Sequence, residues 1–324
     1  HRSQEANSEE MILQTFYATM KKIAKILAVM AVALTFSLSA SAQDMAQATE
    51  MYNAAIEAYG NGDATAALDG FQKALAAAQA LGEEGATLAT DCKNVIPKVY
   101  VKLGKDAFNA KDFTKAVEFL TTAEKLATEA AQEETVADVK EVMPQVYLGA
   151  GNALLNEKKF AEAAAEYQKA LDLDGANGVA WLRLGMCKSN SADTEGALAA
   201  FAKASEFGQK AAADKQIGTI YLKAAVAAYK AKNHAATLEN VLKSNEYGVK
   251  TANLYGGMAA FNLKKYDQAI SLLEGEGSTN SNYYLARAYE AKGDNAKACE
   301  NYKAIATDKN FGAYATSKVG TLCK

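Results

Sequence analysis

The sequence predicts an all-α protein built as an array of repeated helix pairs. The chain has 324 residues, more than one hydrophobic core usually holds, which favours two domains or a repeat array. It is rich in alanine, the best helix former, and contains only 2 prolines, the residue that helices tolerate least. One pattern of small and bulky residues recurs along the chain, and this recurrence favours the array over two separate domains.

The first 42 residues have the features of an export signal. Three lysines follow Met20, an apolar run extends over residues 26–38, and Ala40-Ser41-Ala42 then supplies the small residues that signal peptidase recognises. The apolar run is shorter than the ~20 residues needed to span a bilayer. We therefore predict an extension outside the fold at residues 1–19, a cleavable signal peptide at residues 20–42 and an exported protein at residues 43–324.

Such a leader predicts a Gram-negative periplasmic or secreted protein. No cysteine lies at the cleavage point, so no lipid anchor is expected there, and membrane contact is predicted only through the signal peptide before cleavage. The formal net charge is −3, and no basic stripe runs along the chain. This charge distribution argues against a nucleic-acid partner.

Seven segments after the leader share one arrangement of small and bulky residues. Each has a small residue nine positions before a helix start, another small residue three positions after it, and a bulky residue four positions further on. The helix starts are Ala64, Phe113, Phe160, Thr194, His234, Tyr266 and Asn295, and the bulky residues are Phe71, Leu120, Tyr167, Phe201, Val241, Leu273 and Tyr302. We interpret each segment as two helices whose small residues face each other and allow a close approach.

This arrangement resembles the tetratricopeptide repeat, most clearly in Tyr147–Leu171 and Trp181–Ala204. The resemblance covers essentially all of residues 45–324 and implies a right-handed α-solenoid of about seven helix pairs. We expect repeats near residues 45–94, 95–142, 143–178, 179–216, 217–251, 252–281 and 282–312, followed by a capping helix at 313–324. A solenoid needs such a cap to cover its last apolar face.

Local signals place the helix ends within this array. Asp63, Asp112, Asn233 and Asp294 directly precede second helices, where their side chains can accept hydrogen bonds from free backbone N–H groups. The first two repeat steps are long, which predicts helices prolonged by a turn or more. Proline is tolerated in a first turn but disrupts a helix interior, so each long element is expected to bend or restart at its proline, Pro97 or Pro144. The last steps are short and predict trimmed helices.

Catalytic chemistry has little support in the sequence. His234 is the only histidine after residue 42, and it occupies the position that Phe113, Phe160 and Tyr266 hold in other copies, so we interpret it as a packing residue. A single histidine excludes a two-histidine zinc motif, and no phosphate-binding glycine loop followed by lysine is present. We predict no catalytic residue, no cofactor and no metal.

The cysteines suggest one structural bridge. Cys299 lies on the last second helix and Cys323 on the capping helix that should pack against it, so these two are predicted to form a disulfide in an oxidising compartment. Cys92 and Cys187 are two repeats apart and are expected to remain unpaired.

The resemblance implies that first helices line a concave surface that binds ligands. Carried over to this chain, the ligand-facing positions are Val101 and Lys105, Leu148 and Asn152, Leu182 and Met186, Leu222 and Val226, Leu254 and Met258, and Tyr283 and Arg287. No repeat has the lysine and asparagine pair of the family's carboxylate clamp, which disfavours a chaperone-tail receptor. Tight winding of the array could instead bury Leu182, Leu222 and Leu254, and both readings stay open.

These observations leave three hypotheses about function. The first is a protein- or peptide-binding scaffold of the cell envelope. The second is a carbohydrate-binding accessory protein of nutrient uptake, although Trp181 is the single tryptophan and occupies a packing position. The third, an enzyme, lacks candidate catalytic groups. The sequence does not identify the partner or the oligomeric state.

Overall fold

The computed structural model describes residues 40–323, and these are all-α. They form two compact units that divide between Gly175 and Ala176, called unit 1 and unit 2 below. The predicted leader lies outside the described residues, apart from its last three positions, which begin the first helix. The prediction of an all-α array of helix pairs is confirmed.

Unit 1 contains three antiparallel helix pairs. They are α1 (Ala40–Gly60) with α2 (Ala64–Ala80), α3 (Ala86–Asn109) with α4 (Phe113–Glu129), and α5 (Glu133–Asn156) with α6 (Phe160–Leu173). Each first helix packs on its own second helix, and α3 also contacts α1 and α5. The odd-numbered helices of unit 1 therefore lie side by side.

Unit 2 contains four helix pairs and the terminal helix. They are α7 (Gly178–Asn190) with α8 (Thr194–Ala204), α9 (Lys210–Lys230) with α10 (His234–Glu246), α11 (Asn253–Asn262) with α12 (Tyr266–Leu273), α13 (Thr279–Ala291) with α14 (Asn295–Ala304), and α15 (Gly312–Leu322). The first helices contact one another in the order α7, α9, α11, α13. The expected trimming is present, since α12 has only 8 residues.

The predicted helix caps are confirmed. Asp63, Asp112, Asn233 and Asp294 each accept a hydrogen bond from the backbone N–H three residues later, at 2.9–3.1 Å. Asp193 makes the same contact at the start of α8. Because the first N–H groups of a helix have no partner within it, these side chains set where the second helices begin.

Three of the predicted repeat boundaries are wrong. The positions after residues 94, 142 and 216 lie inside α3, α5 and α9. Of the two outcomes predicted at Pro97 and Pro144, a bend or a restart, the restart is wrong, because α3 and α5 run continuously through these prolines. The part of α3 before its proline buries Leu88, Cys92 and Val95 in the core of the first pair. Burial of this apolar surface outweighs the cost of an interior proline, about 3 kcal/mol.

Small residues face each other in the first pair, where a Cβ atom added to Gly70 would lie 2.8 Å from Cβ of Ala55, but three other pairs differ from this expectation. A Cβ atom added to Gly104, Gly151 or Gly185 would lie 2.6 Å from a carbon of Leu120, Tyr167 or Phe201 respectively. The glycine of the first helix therefore lies under the bulky side chain of the second helix. The missing side chain creates the space into which that bulky group packs, and this contact fixes the separation of the paired helices.

The terminal helix closes the apolar end of the last pair. Ala315 of α15 is buried in one cluster with Leu285, Ala298 and Tyr302, and Phe311 packs against that cluster. In the structure Cys299 and Cys323 are joined by a disulfide with their Cα atoms 5.5 Å apart. Cys92 and Cys187 are buried free thiols.

Candidate partner-binding surface

The ligand-facing positions of unit 1 are only partly accessible. Lys105, Leu148 and Asn152 are half-buried, and the Asn152 side-chain oxygen accepts a hydrogen bond from the Tyr167 hydroxyl at 2.8 Å. Val101 is 6% exposed and belongs to the core of the second and third pairs. The expectation that Val101 faces a ligand is therefore wrong, because its side chain is committed to helix packing.

An open cleft of about 1070 Å³ adjoins these residues in unit 1. Phe113 of α4, Tyr147 and Asn152 of α5, and Glu166 and Lys169 of α6 are among its walls. Lys169 pairs with Glu166 at 2.7 Å and lies over the Tyr147 ring. Two charged groups of the cleft thus neutralise each other.

Unit 2 brings together most of the predicted contact residues. Six of them form what we call the apolar row, which consists of Leu182, Met186, Leu222, Val226, Leu254 and Met258. All six are half-buried, neither enclosed nor fully exposed. Leu182 and Met186 pack on one core cluster, Leu222 on a second and Leu254 on a third. These four side chains are therefore held by the core on one side while part of their surface remains accessible.

Tyr283 and Arg287 occupy the corresponding positions of α13 within an aromatic cluster. The Arg287 guanidinium lies 4.6 Å from the ring centre of Phe261 and 5.2 Å from that of Tyr283, and it donates a hydrogen bond to the Tyr283 hydroxyl at 3.2 Å. Tyr283 stacks on Phe311, with ring centres 4.3 Å apart. Stacking on aromatic faces holds a guanidinium in a defined orientation while leaving its edge donors available.

Sequence reasoning missed several aromatic residues on the first helices of unit 2. Tyr229 of α9 stacks on Tyr255 of α11, with ring centres 4.3 Å apart. Phe261 of α11 meets Tyr284 of α13 edge-on at 5.3 Å. Burial, followed by the neighbouring Tyr283 hydroxyl, raises the pKa of Tyr284. Contacts between aromatic rings thus join α9 to α11 and α11 to α13.

Arg183 was missed as well, although the sequence contained a signal for it. It directly follows Leu182, as Tyr255 and Tyr284 directly follow the contact residues Leu254 and Tyr283. Its Nη1 atom lies 4.0 Å from the Met186 sulfur, and its Nε atom is buried without a hydrogen-bond partner. The guanidinium of Arg183 therefore adjoins the apolar row.

Cys187 and His234 are the reactive groups of this region whose surroundings the structure describes. Burial raises the pKa of the Cys187 thiol to about 11, although Arg183 acts in the opposite direction, so the thiol is protonated at neutral pH. His234 begins α10 and is half-buried. Between residues 40 and 323, no three His, Cys, Asp or Glu side chains are grouped as metal ligands. No helix in that range has the length and apolarity that a membrane crossing requires.

Two family models match the chain, and both are described as tetratricopeptide repeat. One covers residues 144–177 and the other residues 281–308, which fall on the third and seventh helix pairs. No curated protein matches the chain.

Several solved structures are similar to the chain at low identity. YrrB, described as a tetratricopeptide-repeat protein with an unusual peptide-binding site, has 23% identity over 53% of this chain and 91% of its own, with a TM-score of 0.32. Pseudomonas aeruginosa PilF has 14% identity over 69% of this chain and 97% of its own, with a TM-score of 0.30. A tetratricopeptide repeat protein from Parabacteroides merdae has 12% identity over 87% of this chain and 100% of its own, with a TM-score of 0.28. Similarity at these scores carries no argument about the present chain.

Proposed function

We propose that this chain, two segments of which match tetratricopeptide-repeat models, is a non-catalytic scaffold of the cell envelope that binds a protein or peptide partner. Proteins of this family generally serve as scaffolds for protein–protein interaction. The leader at residues 20–42 is the reason for proposing the periplasm or the exterior as the location.

The apolar row of unit 2 is the observation that carries the proposal. Single apolar residues on a surface are ordinary, but here half-buried leucine, methionine and valine side chains recur at one register of consecutive, contacting helices. Because Leu182, Met186, Leu222 and Leu254 pack on the core, these four side chains have little rotational freedom to lose on binding. Covering the remaining surface of each would contribute roughly 1 kcal/mol.

A pair of charge insertions tests whether this row binds the partner. Met186→Glu combined with Met258→Glu places carboxylates at two points of the row. The matched control, Ala202→Glu with Ser271→Glu, adds the same charge at exposed positions of the second helices α8 and α12. The measurement is the amount of partner captured by chemical crosslinking in intact cell envelopes, with captured molecules identified by mass spectrometry.

The two variants are expected to differ in capture and to agree in fold. The methionine variant should lose most of the crosslinked partner while its circular dichroism and thermal stability stay close to those of the control. Unfolding of the methionine variant would show that these side chains belong to the core and would contradict the proposal. Capture of a glycan in place of a protein would favour a carbohydrate-binding accessory protein.

A further inference from the structure

We propose that unit 2 recognises an acidic peptide segment of about nine extended residues, held near its two ends by Arg183 and Arg287. This inference rests on the proposed function and specifies the chemistry of the partner. Three observations carry it: the charge of the first helices, the state of the two arginines and the span between them.

The first helices of unit 2 carry a strong excess of positive charge. Seven lysine or arginine residues and two acidic residues lie on the first helices α7, α9, α11 and α13. Four basic and five acidic residues lie on the second helices α8, α10, α12 and α14. In unit 1 the balance is reversed, since α1, α3 and α5 contain five basic and nine acidic residues. Two of the seven basic residues are neutralised internally, since Lys188 pairs with Asp193 and Lys210 with Asp214. The remaining excess of basic residues is specific to one set of helices in one unit, although the whole chain has a net charge of −3.

Internal ion pairs do not neutralise the two arginines. Every ion pair found between residues 40 and 323 is made by a lysine. The acidic residues of the unit 2 first helices are already engaged, because Asp214 pairs with Lys210 while Glu290 accepts from Lys318 and from the Tyr302 hydroxyl. Arginine is the better residue for planar, bidentate binding of carboxylates. The charge of Arg287 acts on nearby Glu290, but neither arginine forms an ion pair with a carboxylate. Both guanidinium groups are half-buried and can still accept a carboxylate from another molecule.

Both arginines are held in place by the residues that border the apolar row. Arg183 lies against the Met186 sulfur, and its buried Nε atom makes no hydrogen bond. Arg287 lies over Phe261 and Tyr283. Held side chains lose little entropy when a carboxylate binds, and partial burial strengthens the charge-assisted hydrogen bonds.

The separation of the two arginines sets the length of the occupant. Arg183 is on α7 and Arg287 on α13, and three helix-to-helix contacts connect these helices through α9 and α11. Packed helices are about 8–10 Å apart, so three such steps give a span of about 24–30 Å. An extended chain rises about 3.3 Å per residue, so a segment of up to about nine residues bridges the two arginines. Lys223, exposed on α9, adds a third unpaired cation between the ends.

The apolar row between the arginines favours a peptide over a nucleic acid. A single-stranded nucleic acid presents one phosphate per nucleotide and suits a continuous cationic groove. Here, leucine, valine and methionine side chains occupy most of the span, and α11 contains no lysine or arginine. The complementary ligand has carboxylates near its ends and apolar side chains between them.

Selection from a random peptide library tests this assignment on the whole protein. Immobilised protein is presented with phage that display randomised nine-residue peptides, and the enriched peptides are then synthesised for affinity measurement. We expect Asp or Glu to be enriched at two positions seven or eight residues apart, with apolar residues between them. Affinity should fall as ionic strength rises, since exposed ion pairs are screened.

Substitution of the two arginines tests whether the affinity of the selected peptides depends on pairing between arginine and carboxylate. Arg183→Gln and Arg287→Gln should each weaken the selected peptides on the order of tenfold or more. Arg183→Lys and Arg287→Lys should retain part of the affinity, because lysine keeps the charge without the planar fork. The matched control is Lys303→Gln, which removes an exposed, unpaired charge from the second helix α14 and should change affinity less than twofold.

Each alternative result has a distinct meaning. Peptides that depend on Met186 and Met258 but not on the arginines would overturn this inference and leave the proposed function standing. Failure to select any peptide would overturn this inference, whereas the proposed function, which includes a folded protein partner, is decided by the crosslinking experiment above. Tighter binding of oligouridylate, with the same dependence on the arginines, would show that the face recognises nucleic acid and would also overturn the inference.

Discussion

Gly185→Ala should destabilise the fourth helix pair, although alanine is the better helix former. The added Cβ atom would lie 2.6 Å from Cε1 of Phe201 and 2.7 Å from Cδ1, well inside ordinary contact distance. Phe201 is fully buried, so its ring has no free space into which to move. Overpacking of this kind costs about 1–3 kcal/mol, against a gain of about 1 kcal/mol from helix propensity. The net effect is an expected loss of up to about 2 kcal/mol of stability.

Gly320→Ala provides the matched control on another helix. Nothing lies within 4 Å of a Cβ atom added at Gly320, so this substitution should stabilise α15 by about 0.5–1 kcal/mol. Urea unfolding followed by circular dichroism measures both variants, and the fluorescence of Trp181 reports on α7 itself, since this is the chain's single tryptophan. Equal stabilisation by the two substitutions would refute the close approach of α7 and α8.

Three further predictions concern the C-terminal bridge, the helix caps and the leader. Cys323→Ser should cost about 3–4 kcal/mol of C-terminal stability, given a sequence separation of 24 residues. Hydrogen exchange should then accelerate in α15, and peptide mapping that finds both thiols free without reductant would contradict the bridge. Hydrogen bonds from the Gly196 N–H and from Lys188 lower the pKa of Asp193. The ionised Asp193 side chain therefore stabilises the fold above its unfolded pKa of about 3.9, and this stabilisation is lost as the pH falls through the lower folded pKa. Asp193→Asn keeps a cap that does not titrate and should flatten the loss of stability between pH 5 and about pH 3; an unchanged pH profile would count against this role. The mass of the protein from envelope extracts should correspond to cleavage between Ala42 and Gln43, and a mass that retains residues 20–42 would contradict export by this leader.

The sequence predicted most of the fold because local and repeated signals agree with each other. The small and bulky residues recur at fixed spacing, and a capping side chain precedes several second helices, so the helix pairs could be placed before any contact was known. The continuity of α3 and α5 could not be predicted from Pro97 and Pro144 alone. Local propensity predicts a break there, and only the burial of residues such as Leu88 shows that packing overrides it.

The candidate surface was predicted less completely, because a family register indicates positions and not their environments. It located Met186 and Arg287 but also included Val101, whose burial depends on how the second and third pairs pack. The family register did not indicate Arg183, which matters to the proposal because it forms no ion pair with a carboxylate. The imbalance of charge between first and second helices was present in the sequence. The assignment of each charged residue to a first or a second helix depends on the helix bounds, which the sequence alone does not fix.

Site-specific photocrosslinking tests the central claim most directly. A photoreactive benzoylphenylalanine is placed at Val226, in the middle of the apolar row on α9, and in a separate variant at Ala235, exposed on α10. Irradiation of intact cells should give a discrete protein adduct from position 226, and this adduct should disappear when Arg183 and Arg287 are replaced by glutamine. Adducts of equal yield from both positions, or from position 235 alone, would contradict a partner-binding surface on the first helices of unit 2.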